Sequence, residues 1–214
     1  LTVSENTVTW EINGKTFSEE LSGYSGGYIY ITAMTVDTAF RNIKITELED
    51  QSDTSSYKVY YAQNGKRLID SGVQAKETDF KNCWSFENGT FTRTGSGEYA
   101  AGPNGRYGES LLYFDKKYDA FALELDYRFG SDKKTWLWAA VGFGADSIGS
   151  HYANGDGYLA FIEQEGYIGY QYPDGSGTKS DRLLKPAYFT EKYGVNKNQD
   201  YYDDVKKSSP SAWH

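Results

Sequence analysis

The stretch FALELDYRF, residues 121–129, alternates strictly between two kinds of side chain. Phe121, Leu123, Leu125, Tyr127 and Phe129 fall on one side, and Ala122, Glu124, Asp126 and Arg128 on the other. Successive side chains of an extended backbone point to opposite faces, so this period of two describes a strand with one dry and one wet side. WLWAAVGF (136–143) alternates as well, but both of its faces are apolar or aromatic. Leu137, Ala139, Val141 and Phe143 are expected in a core, which turns Trp136 and Trp138 toward the opposite face. YLAFIE (158–163) and YIGYQY (167–172) are separated by Gln-Glu-Gly, the length and glycine content of a hairpin loop. NTVTWEING (6–14) ends in Asn-Gly before Lys-Thr-Phe, another hairpin signal. No stretch carries the period of a long amphipathic helix. The expected fold is all-β, a two-sheet antiparallel sandwich, because the strands are many and their inward faces are large.

Composition supports this and excludes some functions. The 214 residues hold 23 glycines, only 4 prolines and 20 tyrosines, a mixture suited to short strands joined by glycine turns. A formal net charge of −8 argues against nucleic acid, whose phosphates need a basic patch. No apolar run approaches the ~18 residues that a membrane-spanning helix requires, so no membrane insertion is expected. The sequence opens without a signal-peptide pattern and reads as a mature chain or an excised piece. Cys83 is the sole cysteine. One cysteine fits a cytosolic protein and equally a Gram-positive surface protein.

The order of the strands carries a resemblance. NGTFTRTGSGEY (88–99), SLLYFDKKYDAFALELDYRF (110–129), WAAVGFG (138–144) and GYLAFIEQEGYIGY (157–170), with VTWEINGK (8–15), GGYIYITA (26–33) and AFRNIKITEL (39–48), resemble the concanavalin A-like lectin/glucanase sandwich. Within it they are similar to the laminin-G-like and 3-keto-disaccharide-hydrolase-like domains of bacterial extracellular proteins. The resemblance covers most of the chain in rotated order. Residues 1–48 match the closing strands of such a domain, and 80–214 match its opening and central strands. It implies a jelly roll that is circularly permuted within one chain or completed by a neighbouring copy. Residues 49–79 read as a linker with a hairpin, YKVYYA-QNGK-RLI. The resemblance also implies an extracellular or cell-surface location in a bacterium.

The residues that bear on chemistry are few. Glucanases of this superfamily carry three acids at alternate positions of one strand. Glu124 and Asp126 match the first two, but Arg128 stands at the third. Retaining glycosidases need two carboxylates about 5–5.5 Å apart, so the departure at Arg128 implies a non-catalytic module. His151 and His214, the only histidines, form no recognisable triad with a nucleophile. Asn154 and Asp156 in HYANGDGY, with Asp174 and Asp181 beyond, have the residue types for calcium but not EF-hand spacing. Asx-Gly turns also arise for backbone reasons alone.

Carbohydrate is the ligand class that the aromatic residues fit. Sugar C–H faces pack on rings, and hydroxyls need amides and acids at the rim. Trp136, Trp138, Tyr158, Tyr170 and Tyr172 are expected to share one sheet face, with Gln171, Asp156 and Asp174 at its edge. The same rings serve equally well as ordinary sheet packing. Two functions follow: a glycan-binding or adhesin-type repeat module, or a structural unit whose copies associate by strand complementation into an array or filament.

Arg128 supplies the first expected outcome. The purified protein should release no reducing sugar from β-glucans, and steady release abolished by Glu124→Gln would contradict the reading.

Overall fold

A computed structural model describes residues 1–12, 15–33, 37–48, 58–63, 66–72, 84–94, 111–130, 138–147, 156–163, 168–173, 179–184 and 211–214. The alternating stretch is a strand, β11 (Phe121–Arg128), and it lies at the middle of a seven-stranded sheet. On one side of β11 stand β1 (Thr2–Ser4), β2 (Thr7–Ile12) and β3 (Lys15–Glu20). On the other stand β5 (Ala39–Glu47), β9 (Thr90–Arg93) and β8 (Trp84–Glu87). The second sheet has eight strands. Its order is β15 (Lys179–Leu184), β14 (Ile168–Pro173), β13 (Tyr158–Glu163), β12 (Trp138–Ala145), β4 (Gly27–Ala33), β10 (Leu111–Tyr118), β6 (Lys58–Gln63) and β7 (Lys66–Gly72). Every ladder among them is antiparallel. The fold is an all-β sandwich, and the described residues contain no helix.

The first 48 residues are woven through both sheets. β5 lies between β11 and β9, and β4 lies between β12 and β10. Ala39, Phe40 and Arg41 pair with Thr92, Phe91 and Thr90, which sets AFRNIKITEL beside the hairpin around Asn88-Gly89. That turn has positive φ at both residues, 49° and 75°, the backbone of a tight type I′ hairpin. The glycosylation-like triplet Asn88–Thr90 is therefore also a turn. β6 and β7 form a hairpin that continues the eight-stranded sheet from β10.

The core lies between the sheets and follows the period of two. From β11 it takes Phe121, Leu123 and Tyr127, which meet Ile29, Ile31, Ala139, Val141 and Phe143 of the opposite sheet. A fully buried Leu or Phe contributes about 1.5–3 kcal/mol. Exposed ion pairs such as Arg41–Asp126 at 3.1 Å and Lys44–Glu124 at 3.9 Å contribute about 0–1 kcal/mol. Apolar burial, not the charged outer row, holds the two layers together.

The eight-stranded sheet is apolar on its outer face too. Tyr30, Leu111, Tyr113, Ala140, Leu159 and Phe161 form a second buried cluster there, edged by Tyr28 and Trp138. Gly142 explains how Tyr30 fits. A Cβ at position 142 would fall inside the phenol ring of Tyr30, which is fully buried and cannot swing aside. Gly142→Ala should therefore cost about 1–3 kcal/mol by overpacking. Chemical denaturation of Gly142→Ala, Tyr30→Ala and the double variant should show strong non-additivity, because the first clash needs the ring.

Candidate functional site

Two surfaces have the geometry of a site, one on each sheet. The first is the outer face of the eight-stranded sheet. Trp138 pairs with Glu163, and Ala140 with Phe161, so the indole and the Phe161 ring share this face with centroids 6.4 Å apart. Leu159 pairs with Gln171, which brings the Gln171 amide to the same face. Gln171 is 7% exposed, and its Oε1 accepts no hydrogen bond. A buried amide oxygen without a donor costs about 1–3 kcal/mol, and this one is closed off from solvent.

The expected aromatic platform divides across the sheet. Tyr158 pairs with Phe143, and Tyr170 with Ala160, which turns both phenols inward. Both are buried in the sandwich core, with Tyr172 packed against its edge. Tyr158 stacks on Phe143 at 5.3 Å and donates to the Ser22 carbonyl, while Tyr170 lies 5.7 Å from Trp10. Trp138 and Gln171 thus share the outer face, and Tyr158, Tyr170 and Tyr172 do not join them. Trp136, Asp174 and Asn154 lie outside the described residues. Asp156 accepts the Asp146 N–H at 3.2 Å on each carboxylate oxygen. Among the described residues no group of three or more His, Cys, Asp or Glu could hold a metal ion.

The outer row of β11 is tied up by its neighbours. Asp126 accepts from Arg41 Nε at 3.1 Å and from Asn42 Nδ2 at 2.8 Å. Asn42 reaches it from a bulge in β5, where its φ is 51° and the register against β11 shifts. Arg41 and Arg128 both lie over the Trp213 ring, at 3.9 and 5.2 Å.

The second lies along one edge of β11 in the seven-stranded sheet. The Leu1 ammonium donates to the Leu123 carbonyl at 2.8 Å, and Leu123 N–H returns a bond to Leu1 at 2.7 Å. Further along the same edge of β11, His214 and Tyr127 exchange two bonds, of 2.9 and 3.1 Å. Their rings stack with centroids 5.3 Å apart. Leu1 and His214 therefore occupy one strand line, with three register positions between them opposite Glu124, Leu125 and Asp126. Beneath this edge of β11 is a cavity of about 640 Å³, lined by Trp10, Leu125, Ala139, Val141, Ala160 and His214 among others. Trp10 is 4% exposed, and its Nε1 has no acceptor. Sequence reasoning read Leu125 and Trp10 as strand residues and gave neither a place in a site. The one available signal was that the two ends of the chain read as a single strand when joined.

No protein-family model, curated protein or solved structure matches the chain.

Burial raises the phenol of Tyr127 well above its ordinary value of 10.0. Tyr24 is raised by burial first, then by the Asp119 carboxylate and Tyr158. Tyr158 is raised by burial and then by Tyr170. The folded state favours the neutral phenols, so the unfolded chain ionises first as pH rises. Stability should be full below about pH 10 and fall progressively above it. Tyr127→Phe should flatten that alkaline loss, as read by denaturation midpoints across the range.

Proposed function

We propose that the chain is a non-catalytic binding module whose ligand surface is the outer face of the eight-stranded sheet, with carbohydrate as the ligand class. The observation that carries this reading is the half-buried Trp138 at the edge of the outer aromatic cluster, its ring 6.4 Å from Phe161. A sugar offers a C–H face to pack on such a ring. The resemblance to the concanavalin A-like sandwich points to the same ligand class and to an extracellular, adhesin-type setting in which copies act together. Linked modules raise effective concentration without new contacts, so weak single sites suffice. The non-catalytic half of the reading is supported by β11, where Arg41 and Asn42 engage Asp126 and Arg128 stands third in the row.

A glycan array probed with the multimerised protein tests the proposal. Trp138→Ala should abolish the signal. Gln171→Leu should leave stability unchanged or slightly higher, because it removes an amide with an unmet acceptor. Failure of the multimer to bind any glycan, or binding unaffected by Trp138→Ala, sinks the reading.

A further inference from the structure

The residue that stands directly opposite Trp138 in the eight-stranded sheet is an acid. Trp138 of β12 pairs with Glu163 of β13. Alternation along β13 sends Ala160 and Ile162 into the sandwich core and Leu159 and Phe161 into the outer cluster. Glu163 is the next outward position, so it shares the face that Trp138 edges. Directly opposed side chains of an antiparallel pair have Cβ atoms about 4.5–5.5 Å apart. The carboxylate therefore belongs beside the indole, and both side chains are half-buried, so each keeps a part open to solvent. Gln171, on the same face, is 7% exposed and its amide oxygen is closed off, which leaves the polar rim of this surface to Glu163.

A carboxylate at that place has definite requirements of a ligand. When ionised it only accepts hydrogen bonds, through two oxygens, and bonds to a charged acceptor are roughly twice as strong as neutral ones. A sugar ring packed on the indole carries hydroxyl donors around its perimeter, where a neighbouring carboxylate meets them. A sugar that itself bears a carboxylate or sulfate brings a like charge instead, and like-charge juxtaposition in a partly desolvated contact is a strong means of rejection. Lys117 lies on the same face, with its Nζ 5.8 Å from the Tyr28 ring. It does not offset Glu163, because Tyr28 pairs with Ala145, at the far end of β12 from Trp138. At ~3.3 Å per residue that separation is about 20 Å along the strand, beyond the screening length of ~8 Å at physiological salt.

We infer that Glu163 is the specificity-determining residue of the Trp138 surface: it selects neutral sugars, whose hydroxyls donate to its carboxylate, and excludes acidic ones such as uronic acids and sulfated sugars. The inference rests on the binding reading above and narrows its ligand class.

The experiment titrates the multimerised protein on an array of matched glycan pairs, in which a neutral hexose oligomer and its hexuronic acid counterpart differ only at C6. The unaltered chain should prefer the neutral member of a bound pair by about tenfold or more. Glu163→Gln should weaken neutral binding several-fold, through loss of the charge-assisted bonds, and bring the ratio within a pair close to one. Glu163→Asp keeps the charge and should keep the discrimination, which guards against a fold defect in the amide variant. Two results overturn this inference alone: acidic members bound as well as neutral ones by the unaltered chain, or a ratio that Glu163→Gln leaves unchanged while Trp138→Ala abolishes binding. Absence of binding to every glycan overturns it together with the surface reading on which it rests.

Discussion

The hydrogen-bonding capacity of β11 is the constraint on which the seven-stranded sheet depends. A central strand must satisfy two edges, and the chain supplies them from distant places. β5 covers one edge from Glu47 to Ala39. The other is shared between Leu1 with β1 and the final residue, His214. Because inward residues alternate with the charged row, each of these partners also fixes which side chains reach the core. The stacked His214 and Tyr127 rings and the Leu1–Leu123 pair are consequences of one register.

The second sheet solves a different problem. Its strands β4, β12 and β13 are largely apolar on both faces, so there it lacks the wet outer side that β11 has. Close approach of rings to backbone is what allows the outer cluster to pack. Tyr30 lies across Gly142 and meets Tyr113 at 4.9 Å, and both are fully buried. Tyr28 and Trp138 are the members of this layer left half-buried, and Gln171 is its unsatisfied polar group. The two half-buried rings are where the layer can meet a ligand.

The fold class was legible because alternation is a local property. FALELDYRF shows its two faces without reference to any other strand, and the burial along β11 follows them. The grouping of aromatic residues was not legible, because it depends on register between strands. Within β12, Trp138 was correctly turned away from Ala139 and Val141. Whether Tyr158 joins Trp138 or Val141 is decided by the connection between β12 and β13, which sets Tyr158 against Phe143. The β13–β14 register then sends Tyr170 inward opposite Ala160. A shift of one residue in either ladder would have reversed the assignment, and nothing within YLAFIE or YIGYQY specifies that shift. Gln171 reached the outer face by the same register that buried its neighbours.

The two faces of the eight-stranded sheet are closed in different ways. Its inner face meets β11 and the neighbours of β11 across the sandwich core. On its outer face Tyr30, Leu111, Tyr113 and Leu159 are buried, and the layer reaches solvent at Tyr28 and Trp138. A ligand packing on this face therefore meets the indole of Trp138 before the buried rings behind it. That is why Trp138, and not the cluster it edges, governs the proposed binding.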